Sequence, residues 1–135
     1  MRDFATEVYT CLNRRYTDRV HREAANDQVS IKAGYVVYSI KASGPADYAA
    51  PDPWTKFDNA FPVVVTYYVD TASEAEAALE NIIDDFHKSE WALDTDTVAD
   101  VSLMSQEVSL DMDKWEEGLS VWRARTIWEA VVTTI

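Results

Sequence analysis

Residues 61–70 (FPVVVTYYVD) constrain this chain more than any other segment. In an extended conformation Val63, Val65, Tyr67 and Val69 share one face, and Val64, Thr66 and Tyr68 share the other. A strand apolar on both faces is poorly placed at a wet sheet edge, so the pattern predicts a central strand. The chain then passes directly into DTASEAEAALENIIDDFHKS. Thr71 and Ser73 are both N-cap residues, and each has a glutamate three positions on, Glu74 and Glu76. Ala75, Leu79, Ile82, Ile83 and Phe86 form one apolar stripe, which predicts a helix running to about Ser89. Glu80, Asp84 and Asp85 are expected to face outward from it.

The other elements follow from the same two periods. Phe4, Val8, Leu12, Tyr16 and Val20 recur every four residues and predict an amphipathic helix over 3–25, stopped near Asn26-Asp27. Residues 28–40 (QVSIKAGYVVYSI) are β-branched and aromatic, as in a strand, with Gly34 as a bulge or bend. Residues 41–60 hold three of the four prolines, which predicts a long loop or protruding hairpin arm. A polar turn at 94–100 precedes strand-like sequence from Val98 to Leu110. Val101 and Leu103 lie in one phase there and Val108 and Leu110 in the other, so a bulge or break is expected between them. After a turn at 111–118, the last strand alternates. Trp122, Ala124, Thr126, Trp128, Ala130 and Val132 share one face, and Val121, Arg123, Arg125, Ile127 and Glu129 the other. The predicted class is α+β: a mostly antiparallel sheet with two main helices packed on it, and the arm between its first two strands.

A chain of 135 residues that is 47% apolar is expected to form one domain, 1–135, with a real core. Five Trp and seven Tyr are many for that core alone, and aromatic side chains also serve subunit interfaces. The net charge of −12 is concentrated in residues 61–100, where one lysine faces ten carboxylates. Such a surface repels phosphate and argues against nucleic-acid binding by counterion release. It would suit a wall that DNA slides past, and it also fits adaptation to high salt. Cys11 is the only cysteine, so no intrachain disulfide is possible, as expected for a reducing cytoplasm. MRDFATEVYT has no apolar signal core, and the apolar run around Val63 to Val69 is too short to cross a bilayer.

Converging catalytic or metal-binding groups are hard to find. His21 and His87 are the only histidines and lie on different predicted helices. Cys11 adjoins the buried stripe and reads as a structural thiol. Three glycines are too few for a phosphate-cradling loop. Asp94 and Asp96, or Asp111 and Asp113 joined by Glu116 and Glu117, are candidate Ca²⁺ ligands, but neither stretch has the EF-hand glycine, and a solvated acidic turn accounts better for both. No enzymatic role, metal or cofactor is therefore expected; a small enzyme using Asp70 or Glu129 is the weakest of the competing classes.

Two features point to subunit contacts instead. The arm places Tyr48, Trp54, Lys56 and Phe57 among prolines, and Trp115 lies in the last turn. Arg123 and Arg125 occupy the less apolar face of the final strand, while the helix beginning near Glu74 presents Glu76, Glu80, Asp84 and Asp85. A homo-oligomeric ring can set that acidic face against those arginines.

The layout resembles the tail-terminator (tail-completion) proteins of long-tailed phages and archaeal viruses. An N-terminal amphipathic helix leads to a short strand (GYVVYSI) and a variable loop. A strong strand then runs directly into an acidic, Ala-rich helix (FPVVVTYYVDTASEAEAALENIIDDFH), and a final hairpin ends in LSVWRARTIWEAVV. The stretch from Asp18 to Lys32 lacks the proline-containing link common before the first strand, and the 41–60 loop is unusually long and Pro-rich. The resemblance implies a virion protein at the head-proximal end of the tail, assembled in the host cytoplasm. It implies a hexameric ring of this chain that caps the tail tube protein and meets the head–tail connector protein, with DNA passing the lumen unbound. It implies no enzymatic activity, cofactor or membrane. A head-completion or connector protein of the same junction, and a small ferredoxin-like ligand- or protein-binding module, are the alternatives.

Overall fold

The computed structural model describes residues 4–23, 31–40, 58–89, 91, 97–110 and 120–134. Among them α1 (Phe4–Arg15) is followed by β1 (Val20–Arg22), β2 (Tyr35–Ile40), β3 (Asp58–Val69), α2 (Ala72–Lys88), β4 (Thr97–Leu110) and β5 (Trp122–Thr134). The five strands form one sheet in the order β1-β2-β3-β5-β4. β1 runs parallel to β2, and every other neighbouring pair is antiparallel. The protein is an α+β fold.

β3 holds the middle of the sheet, between β2 and β5, as its two apolar faces demand. Val63, Val65 and Val69 are almost fully buried on the face toward the helices. β5 inserts between β3 and β4, so β3 and β4, joined through α2, are parallel strands separated by a third. The β4–β5 register shifts between Leu103 and Ser105, where the change of phase required an irregularity. Ala99, Val101 and Leu103 before the shift, and Val108 after it, thereby all reach the same core.

Both helices pack on one face of this sheet. Phe4, Val8, Cys11, Leu12 and Tyr16 come from α1 and the turn after it; Ala75, Ala78, Ile82 and Phe86 come from α2. Leu79 and Ile83 of the expected α2 stripe are only partly buried at its flanks. An aromatic chain ties the layers together: Phe4 meets Trp91 at 5.7 Å, Trp91 meets Phe86 at 5.2 Å, and Phe86 meets Trp128 at 4.8 Å between centroids. Below it, Trp128 Nε1 donates to Thr126 Oγ1 at 2.8 Å, and Thr126 Oγ1 donates to the Val65 carbonyl at 3.3 Å. Thr71 is the N-cap of α2: its Oγ1 accepts from the Glu74 N–H at 3.4 Å and donates to Glu74 Oε2 at 3.0 Å.

The N-terminal helix is shorter than its four-residue period predicts. It ends at Arg15, and Asp18 takes a left-handed φ of 64° that a continuing helix excludes. Asn13 Oδ1 accepts from the Asp18 N–H at 3.3 Å and holds that turn. Val20, expected on the helix, instead begins β1. The second strand begins at Tyr35 rather than at 28, because residues 31–33 form a turn and Gly34 bends the chain at φ +80°. A Cβ on Gly34 would lie 2.0 Å from Tyr67 Oη, so the site requires glycine both for its φ and for space. The third strand starts at Asp58, three residues inside the predicted loop. No helix among the described residues is long and apolar enough to cross a membrane.

Candidate subunit interface

Alternation along the strands sends the remaining side chains to the face away from the helices. Tyr35 and Val37 from β2, Val64, Thr66 and Tyr68 from β3, and Arg123, Arg125, Ile127 and Val131 from β5 stand there. No described helix packs on this face. Val37, Val64, Tyr68, Ile127 and Val131 are half-buried, and Tyr35 stacks on Tyr68 at 5.2 Å. β4 adds Ser102, Glu107 and Ser109 at the margin.

Arg123 and Arg125 stand at one end of this face, on β5. Arg123 Nε donates to Ser109 Oγ at 3.0 Å, and its guanidinium lies 3.7 Å from Glu107 Oε1. Arg125 is paired across the strands with Thr66 on one side and Glu107 on the other. Its Nε is buried and has no hydrogen-bond partner. A buried donor without an acceptor costs about 1–3 kcal/mol, so this corner of the sheet carries an uncompensated cost.

On the opposite side of the molecule, Glu76, Glu80 and Asp84 are exposed on α2 at intervals of four, one line along the helix. Lys88 continues that line and donates to Asp84 Oδ2 at 2.7 Å. Asp85 departs from the expected outward set. It turns toward α1 and accepts from Arg15 Nε at 2.7 Å and from Arg15 Nη2 at 2.9 Å. The reason is the position of α1, which brings a guanidinium beside that flank of α2. Tyr48, Trp54, Lys56, Phe57 and Trp115 lie outside the described residues, as do Asp94, Asp96, Asp111, Asp113, Glu116 and Glu117.

The ends of α1 and α2 enclose a groove lined by Cys11, Arg14, Arg15, Asp85, Lys88 and Ser89. Burial pushes the Cys11 thiol above its ordinary pKa; the hydrogen-bonding contact with Ser89 Oγ at 3.2 Å works against that, and the Asp85 carboxylate reinforces it. Cys11 is therefore held as a thiol, the weakly nucleophilic form. His87 lies edge-on to Trp128 at 5.6 Å and His21 edge-on to Tyr35 at 6.0 Å, so neither lines the groove. No group of three or more His, Cys, Asp or Glu suited to a metal ion occurs among the described residues.

Sequence reasoning placed Arg123 and Arg125 on the correct face through simple alternation. It missed Ser109 and Glu107 as their neighbours, because that contact depends on the β4–β5 register across the shift at Leu103/Ser105. It also missed the Tyr35–Tyr68 stack, which needs the antiparallel pairing of β2 with β3. Compared with known proteins, the chain matches no family model and no curated protein.

Proposed function

We propose that this protein is a structural virion subunit of the tail-terminator kind. In this reading, copies form a ring that caps the tail tube of a long-tailed virus and offers the head–tail connector a surface. The observation that carries the reading is the sheet face on which no described helix packs: apolar side chains from β2, β3 and β5 stand beside two arginines, Arg123 and Arg125. A face with an apolar middle and an arginine margin has the make-up of a protein–protein contact. The element order supports it further, with a central strand running directly into an acidic helix and a long terminal hairpin. The charge of −12 suits a ring through which DNA passes without adhering.

Negative-stain imaging of the purified protein, alone and with tail tubes, tests the proposal. Sixfold rings, and tubes that stop growing when the protein is added, are expected. Twelvefold rings would move the protein to the connector side of the same junction. Single particles that neither form rings nor bind tubes would refute the structural reading.

A further inference from the structure

We infer that copies of this chain meet head to tail, with the outer line of α2 from one copy lying along β5 on the next copy's sheet face away from α1 and α2. The inference rests on the ring-forming reading and specifies its contact. Three observations carry it.

The first is charge. Isologous contacts would oppose like to like: carboxylates of α2 against their own copies, or arginines of β5 against theirs. Joining the two unlike surfaces removes that repulsion and sets carboxylates beside guanidinium groups.

The second is spacing. Along α2 the line reads Glu76, Glu80, Asp84, Lys88, and along β5 it reads Arg123, Arg125, Ile127, Glu129. Glu76 to Glu80 spans about 6 Å of helix and Arg123 to Arg125 about 7 Å of strand. Glu80 to Lys88 spans about 12 Å and Arg125 to Glu129 about 13 Å. Glu76 opposite Arg123 and Glu80 opposite Arg125 therefore bring Lys88 opposite Glu129, with Asp84 already held by Lys88. The match fixes polarity, since only α2 running parallel to the neighbour's β5 satisfies all three pairs.

The third is placement. α2 packs on one face of the sheet and the arginines stand on the other, so each copy carries both halves of the contact on opposite sides. Such a contact repeats from copy to copy until it closes as a ring or continues as a filament.

Sedimentation velocity on the full chain, across protein concentration and at low and high salt, tests the contact. Circular dichroism checks that each variant is folded. The wild type is expected to associate and to weaken as salt rises. Arg123→Glu and Glu76→Lys are each expected to weaken association at least about tenfold, a change the interface charges are large enough to produce. An equimolar mixture of the two should recover it, because each supplies the face that the other has reversed. Lys88→Glu with Glu129→Lys should behave alike. Glu76 and Lys88 are exposed on α2, so their variants decide the matter even if Arg123→Glu fails to fold. A wild type that associates while the exposed reversals change nothing, or whose reversed variants do not recover on mixing, overturns this contact and leaves the ring reading intact. A wild type that stays a single copy at all concentrations and salts overturns this contact, and overturns the ring reading as well if tail tubes do not assemble it.

Discussion

Replacing Thr126 by valine changes almost no volume, yet it removes the acceptor that the Trp128 indole has among the described residues. Both residues are fully buried, and Trp128 Nε1 donates to Thr126 Oγ1 at 2.8 Å. Water cannot reach the freed N–H, so the substitution costs the desolvation penalty of one neutral donor, about 1–3 kcal/mol. The Val65 carbonyl, which accepts from Thr126 at 3.3 Å, loses a weaker bond. For a domain of this length that penalty lowers Tm by roughly 3–10 °C. The double-mutant cycle isolates the cause. Trp128→Phe deletes the donor at its own cost in volume, and in that background Thr126→Val should be almost neutral. Urea unfolding followed by far-ultraviolet circular dichroism, which does not depend on the altered indole, should give a coupling of about 1–2 kcal/mol. Effects that add to within about 0.5 kcal/mol would refute the claim that this hydrogen bond, rather than packing alone, stabilises the buried Trp128 on β5.

Tyr16 provides the opposite case. Its hydroxyl is buried with no hydrogen-bond partner, so Tyr16→Phe should be neutral or stabilise by up to about 1 kcal/mol in the same unfolding assay. Burial, reinforced by Tyr67, pushes the Tyr16 pKa from 10.0 up to about 12. The folded state therefore binds this proton more tightly than the unfolded state does. The corresponding stability is complete below pH 10 and is lost as pH rises toward 12, so alkaline unfolding should begin later in Tyr16→Phe than in the wild type. Gly34→Ala combines a φ of +80° with a Cβ placed 2.0 Å from Tyr67 Oη, and should destabilise by more than about 2 kcal/mol in thermal unfolding. Tyr67→Phe should rescue it only partly, because Tyr67 Cζ lies 2.5 Å from the same point. Asp85→Asn breaks a half-exposed ion pair with Arg15 and should cost less than about 1 kcal/mol, diminishing as salt is added.

Periodicity exposed what depends on local burial. β3 and α2 were legible because their apolar residues follow the strand and helix repeats without interruption, and Thr71 with Glu74 marks the joint between them. The irregularity in β4 was legible because Leu103 and Val108 cannot share a face in an unbroken strand. The end of α1 was not. Val20 continues the spacing of Phe4, Val8, Leu12 and Tyr16, and only the turn at Asp18 shows that the repeat outlasts the helix. β1 was missed with it, since three residues carry too little pattern to announce a parallel edge strand. Asp85 illustrates a second limit: it neighbours Asp84 in sequence and differs only in facing Arg15, which a single helix pattern cannot reveal. Trp91 illustrates a third. It follows α2 outside any periodic run, yet it is buried between Phe86, five residues back, and Phe4, from the far end of the chain. On the candidate interface, the outward phase of Arg123 and Arg125 was readable from alternation, whereas the burial of one guanidinium Nε required the completed sheet.

A ring requires the sheet face away from α1 and α2 to be covered by further copies of the same chain. Light scattering on the eluting protein, at low salt and rising concentration, measures this directly. The predicted result is a molar mass that climbs to a fixed multiple of 15.3 kDa, six for the ring proposed above. A mass that stays at 15.3 kDa throughout would contradict it.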